Sequence, residues 1–175
     1  MSTRIVTLVG NPRPNSRTRA VAIQAADTVG RRLGAVDHET LDLSALAVEL
    51  GSPSASAVVE VAVETVLGAD VLVVATPTYK GTYTGLLKIF LDRLPGGALA
   101  STIALPLMVM GDARHALAVE VHLRPLLVEL GAFVPTPGAA LLDGRIEEAG
   151  EVLRGWVDRI APQFVPLLTD RTAAV

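Results

Sequence analysis

The 175-residue chain contains no cysteine, and its aromatic residues are one Trp, two Tyr and three Phe. The missing thiols exclude disulfides, thiolate catalysis and zinc–sulfur sites together. Neither sign of charge is in large excess. Fifteen Lys and Arg against 18 Asp and Glu give a net charge of −3, which offers no long-range attraction to nucleic acid or to an anionic membrane. Long apolar runs are lacking too: the most apolar stretch, residues 103–110, is far shorter than the about 20 residues a membrane-spanning helix needs. Met1-Ser2-Thr3-Arg4 leads straight into a strand-like segment without a signal-peptide pattern, so a cytoplasmic location is expected. No Walker A Gly-Lys-Ser/Thr and no Gly-x-Gly-x-x-Gly occurs, which removes two common routes to a nucleotide.

Half of the residues are apolar, and a chain of this size removes roughly 70% of its unfolded surface from water. Residues 4–10 form a β-branched run ending at Gly10 and Pro12, the pattern of a buried strand. Residues 16–33 carry Ala22, Ile23, Ala26, Val29 and Leu33 at helical spacing, with Gly34 as the stop. Residues 37–43 alternate as a half-buried strand. Residues 44–56, holding Gly51 and Pro53, read as an irregular connection, and 58–67 as a short helix closed by Gly68. Residues 70–76 are the clearest strand; a run so continuously apolar needs cover on both faces, hence a central place in a parallel sheet. A helix over 84–94 is broken by Pro95-Gly96-Gly97. A fourth strand over 102–110 contains Pro106, which predicts a bulge or irregular pairing. Residues 115–130 read as a helix, 138–142 as a fifth strand, and 146–168 as a last helix that Pro162 should kink or divide. This alternation predicts an α/β, doubly wound five-stranded parallel sheet with helices on both faces. Right-handed crossovers make the flavodoxin-like order 2-1-3-4-5 the expected one. With no repeat, low-complexity tract or linker, one domain over residues 1–175 is expected.

In such a sheet, ligands sit outside the carboxyl ends of the strands, near the switch point between strands 1 and 3. Three loops must supply the site. The first, residues 10–18, reads GNPRPNSRT. It offers Asn15 and Ser16 as helix caps, the hydroxyls of Ser16 and Thr18, and positive charge from Arg13, Arg17 and Arg19 with no intervening acid. Free N–H groups at a helix start, short hydroxyl donors and arginines are what a phosphate requires. A capped helix with solvated arginines is the plainer alternative, but Pro12 and Pro14 stiffen the loop in a way that suits a fixed anion cradle. The second loop, TPTYKGTYTG, follows the strongest strand. There Pro77 pins the backbone, Gly81 admits a planar ring closely, and Thr78 and Thr82 add short donors. Tyr79 and Lys80 either meet the ring's edge or are an amphipathic tyrosine beside a solvated lysine. The third loop covers Gly111 to His115.

The segments GNPRPNSRT, TPTYKGTYTGLLKIFLDRLP and LPLMVMGDARHALAVEVHLRPLL, in that order, resemble the NADPH-dependent FMN reductase family. The nearest likeness is to the flavin reductases of two-component alkanesulfonate monooxygenases, and it covers residues 4–142. By position, the resemblance implies an FMN phosphate loop at Asn11, Arg13, Ser16, Arg17 and Thr18. It implies an isoalloxazine loop at Pro77, Thr78, Tyr79, Lys80, Gly81 and Thr82, with Gly111 and Asp112 at the third loop. Asn11 stands where these reductases usually have serine, which changes the character of one phosphate donor. Met110-Gly111-Asp112 replaces a common Gly-Gly-Thr, so Asp112 brings a negative charge beside the ligand. The tyrosine whose insertion creates a π-bulge in the alkanesulfonate-linked members is absent; Val121 stands there, beside His122.

The implied activity is hydride transfer from NADPH or NADH to flavin N5, with reduced FMN supplied to a partner monooxygenase. The cofactors carry that chemistry, so no catalytic side chain is expected. Backbone N–H groups of Thr78 and the Gly81 region are expected to steady negative charge on the reduced ring. Two other classes fit the same scaffold: a quinone, azo-dye or chromate reductase with tightly bound FMN, and a flavodoxin-type electron carrier. A domain that has lost flavin is a third. His115 and His122 share a helical face but lack a third ligand, so no metal site is expected. Trp156 is expected in packing with Ile160. A homodimer or homotetramer is expected, with Leu117, Val121, Leu123 and Leu127 as contact candidates that a monomer core would explain equally well.

Overall fold

Five parallel strands carry the molecule: β1 (Thr3–Val9), β2 (Val36–Asp42), β3 (Val71–Pro77), β4 (Ile103–Met110) and β5 (Ala139–Leu142). Their order is β2-β1-β3-β4-β5, as expected. The computed structural model describes residues 2–34, 36–52, 54 and 56–173, with side chains as far as Leu168. Met1 and Pro53, both used in the sequence reading, lie outside the described residues.

Every residue of β3 and β4 is buried, whereas edge strand β2 alternates between half-buried and exposed as far as Thr40 and stays half-buried to Asp42. Alternate side chains feed two cores. Val71, Val73 and Leu105 pack with Val21 and Val29 of α1 (Arg17–Leu33) and with Trp156 and Phe164 of α6 (Ala149–Ala173). On the other face, Leu72 and Val74 pack with residues of four helices. These are α2 (Ala47–Leu50), α3 (Ala57–Leu67), α4 (Gly85–Leu91) and α5 (Arg124–Glu129). Helices on both faces are what a strand as apolar as β3 requires.

Four local expectations need correction. Residues 43–50 are not irregular: a 3₁₀ turn, Leu43–Leu46, runs into α2. Asp42 caps it by accepting from the Ser44 N–H at 3.0 Å, and Leu43, Leu46 and Leu50 are buried at helical spacing. Pro106 makes no bulge, since β4 pairs with β3 without a break from Ile103 to Val109. The Ile103 N–H donates toward β3, to Asp70, and the Ala104 N–H donates the other way, to Phe133. The alternation therefore aims the position of the missing Pro106 N–H toward β5, whose pairing starts only at Leu107.

The segment 115–130 is not one regular helix. A 3₁₀ turn (Ala113–His115) is followed by a π-helical turn (Val119–Leu123) and then by α5. Pro125 cannot donate to the Val121 carbonyl, and its ring would crowd that carbonyl in an α-helix. Widening the turn, with the Arg124 N–H reaching Val119 five residues back, removes the conflict. The π-turn thus forms without the tyrosine. Finally, of the kink or division expected at Pro162, division does not occur: α6 runs through Pro162 and Pro166 as one helix.

Candidate functional site

β1, β3, β4 and β5 all end on one side of the sheet, and there a cavity of about 430 Å³ opens, within the range of small-molecule sites. Its wall brings together Asn11, Arg13, Ser16, Arg17, Thr18, Pro77, Thr78, Tyr79 and Gly111 from the expected set. Pro14, Asn15, Val109 and Asp143 complete it, while Lys80, Gly81, Thr82 and Asp112 do not line it.

The first loop is built from inside. Asn11 is buried; its Oδ1 accepts from the Arg13 N–H at 2.9 Å, which leaves Nδ2 to donate to Thr18 Oγ1 at 3.0 Å. Asn11 therefore braces the loop with both ends of its amide. Asn15 has φ +52°, a conformation uncommon outside glycine but tolerated by asparagine. Ser16 caps α1, its Oγ accepting from the Arg19 N–H at 3.2 Å. The consequence is a fixed polarity. Ser16 and Thr18 each give a lone pair to a protein N–H and keep the hydroxyl proton for something else. The N–H groups of Arg17 and Thr18, in the first turn of α1, meet no acceptor among the described residues. All of these groups are donors, as an anion needs.

The second loop is a tight hairpin. Tyr79 and Thr82 exchange both backbone hydrogen bonds, at 2.9 and 3.2 Å, across Lys80 (φ +53°) and Gly81 (φ +84°). Two consecutive positive φ angles are those of a type I′ turn, and glycine suits the second while Lys80 is strained at the first. A Cβ on Gly81 would touch nothing within 4 Å, so the turn's conformation, not crowding, is what demands glycine. The expected role of the Thr78 N–H needs correction, since it donates to the Val109 carbonyl at 2.8 Å. The Thr78 hydroxyl, by contrast, is buried without a partner among the described residues. Such a group costs free energy unless a ligand or water meets it.

Two threonines that sequence reading missed tie the loops together. The Thr84 hydroxyl caps α4, accepting from the Leu87 N–H at 3.1 Å, and donates to the Gly10 carbonyl. The Thr84 N–H donates to Thr76 Oγ1 at 3.2 Å. Gly10 is required here, because a Cβ would lie 2.7 Å from Leu87 Cβ. A Ser/Thr at a helix start was the available signal.

In the third loop, Asp112 turns toward Arg114. Its side chain accepts from the Arg114 guanidinium at 2.7 and 3.0 Å and from the Arg114 N–H at 2.9 Å, which holds its pKa down at about 2. The charge expected beside the ligand is thus neutralised outside the cavity wall. Met110 is buried and does not line the cavity. A different acid does. Asp143, directly after β5, pairs with Arg17 at 2.6 Å. Arg19 leans on Asp42 at 3.5 Å, and Arg13 has no carboxylate partner among the described residues. Of the oligomer candidates, Leu123 and Leu127 are in the core, while Leu117 and Val121 are exposed with Val128.

A donor-lined end beside an unpartnered buried hydroxyl fits a molecule with a phosphate and a heteroatom-bearing body, as FMN is. Known proteins point the same way. The NADPH-dependent FMN reductase family matches residues 3–145. An FMN reductase (NADPH) of Escherichia coli K12 is 34% identical over 168 residues, 96% of this chain and 83% of that one. The NADH-dependent FMN reductase SfnE of Pseudomonas putida is 33% identical over 93% of this chain and 91% of its own. The crystal structure of an NADH:FMN oxidoreductase (EMOB) in its apo form superposes with a TM-score of 0.82 at 33% identity, covering 90% of this chain and 88% of that one. The azoreductase AzrA, at 14% identity and a TM-score of 0.57, shares the fold alone. Because the likeness to flavin reductases runs almost end to end and includes the loops that build the donor-lined cavity, this chain belongs to the NADPH-dependent FMN reductase family and is an oxidoreductase that reduces FMN with a nicotinamide nucleotide.

Proposed function

We propose that residues 1–175 act as one flavodoxin-like domain in the cytoplasm that takes FMN into the cavity between loops 10–18 and 77–82. It reduces the flavin with NADPH or NADH and passes it to a flavin-dependent monooxygenase. The observation that carries this reading is the set of free donors in the first loop, where Ser16, Thr18 and the first turn of α1 each keep a proton that no group among the described residues accepts.

In this reading Arg13, Arg17 and the two hydroxyls hold the phosphate, and residues 77–79 carry the ring, with the Thr78 hydroxyl available to a ring heteroatom. FMN, when bound, supplies the redox chemistry by taking a hydride from the nicotinamide at N5. The chain's part is to orient and to exclude water, for which Pro12 and Pro14 stiffen the backbone of the first loop and Pro77 that of the second. The N–H groups of Lys80 and Gly81 meet no acceptor among the described residues, but neither residue lines the cavity. Tyr79 is the one aromatic residue in the cavity wall. A ring without an aromatic clamp on both faces is free to exchange, which favours a flavin substrate over the fixed group of an electron carrier.

Mixing the protein with excess FMN and then with NADPH or NADH tests the reading. Multiple turnovers of FMN bleaching are expected, and no turnover with either donor contradicts it. The exposed Leu117, Val121 and Val128 support a homodimer or homotetramer formed through the π-turn. Light scattering showing a monomer at micromolar concentration contradicts that assembly.

A further inference from the structure

We propose that Asp143 is a release element of the flavin site: its carboxylate competes with the flavin phosphate for the Arg17 guanidinium and keeps FMN exchangeable. This inference rests on the cavity's being the FMN site.

Asp143 follows Leu142, the last residue of β5, so the sheet fixes it at the edge of the cavity while Arg17 reaches across from the first turn of α1. Their charged atoms are 2.6 Å apart, and both residues line the wall. Neither has another side-chain partner among the described residues. The pair is open to water, with side-chain exposures of 65% for Arg17 and 32% for Asp143. An ion pair this exposed is weak and exchangeable, so a better anion can displace it.

The charge balance says what Asp143 does to that anion. The wall holds Arg13, Arg17 and Asp143, a net charge of plus one. A phosphate monoester carries roughly −1.5 to −2 near neutral pH. Arg13 is free to receive the phosphate, but full neutralisation requires Arg17 to leave Asp143, and the vacated carboxylate then faces the phosphate with like charge. Both effects lower the affinity for the phosphate end and leave the ring's contacts untouched. A reductase that hands over its flavin gains a faster exit by this arrangement.

The test measures flavin fluorescence quenching by the wild type, Asp143→Asn, Arg17→Gln and the double variant, at low salt, with FMN and with riboflavin, which has the ring but no phosphate. Asp143→Asn is expected to tighten FMN by about tenfold and to leave riboflavin within about twofold. In the Arg17→Gln background the competition is gone and only the like-charge repulsion is left, so the gain is expected to shrink to about threefold. The proposal is overturned if Asp143→Asn leaves FMN unchanged or weakens it, if riboflavin tightens equally, or if the full gain persists without Arg17. A wild type that binds neither flavin overturns the FMN reading itself, and this inference with it.

Discussion

Two proline-containing loops at opposite ends of the sheet treat their polar groups in opposite ways. Loop 10–18, at the carboxyl end of β1, leaves two hydroxyl protons, two helix N–H groups and the Arg13 guanidinium without protein acceptors among the described residues. Segment 133–138, at the amino end of β5, is closed by its neighbours. Arg124 donates to the carbonyls of Val134 and Thr136, and Trp156 Nε1 donates to Pro137 at 2.9 Å. Glu120 accepts from Arg124 Nε at 2.5 Å and from the Gly138 N–H at 2.7 Å. The Thr136 hydroxyl is the exception, buried without a partner and outside the cavity wall. As strings, GNPRPNSRT and FVPTPG both read as loops stiffened by two prolines. One is a site and the other a clasp because of what the remainder of the chain saturates.

Breaking the clasp should cost stability and leave flavin affinity alone. Trp156→Ala removes a buried indole and its hydrogen bond, and a loss of about 3–5 kcal/mol in denaturant unfolding is expected. Glu120→Ala leaves Arg124 and the Gly138 N–H without their acceptor, an expected loss of roughly 2 kcal/mol at neutral pH. This second loss should depend on pH. Burial pushes the Glu120 carboxyl up, but the hydrogen bonds from Arg124 and Gly138 and the arginine's charge outweigh it, so its pKa lies below the ordinary 4.5. A lowered folded pKa makes the contribution complete above the ordinary value and removes it as the pH falls through the lowered one. The gap between wild type and Glu120→Ala should therefore narrow in unfolding measured on the acid side of the ordinary carboxylate range.

Altering the open loop should do the reverse. Arg13→Gln is expected to weaken FMN by roughly tenfold while leaving unfolding within about 0.5 kcal/mol of the wild type. The smallest effect is expected at the hairpin. Lys80→Gly relieves the positive φ and should stabilise by about 1 kcal/mol or less, read as a small rise in thermal midpoint.

The strands were legible because β3 and β4 are apolar without interruption, and β2 because it alternates. The first two site loops were legible because each is a contiguous segment between a strand and a helix. The π-turn was not, since helical periodicity survives one widened turn and the cause, Pro125, acts on a carbonyl four residues back. Asp143 was missed for a different reason. Its partner Arg17 lies at the other end of the chain, and only the parallel arrangement of β1 and β5 brings the two loops to one mouth. Asp112, the acid that motif reading flagged, is silenced by an arginine two residues away.

A crystal structure of the protein with FMN tests the account most directly. The phosphate is expected within hydrogen-bonding distance of Arg13, Ser16 and Thr18, with the ring against residues 77–79. FMN bound elsewhere, or lying in this cavity with its phosphate turned away from loop 10–18, would contradict it.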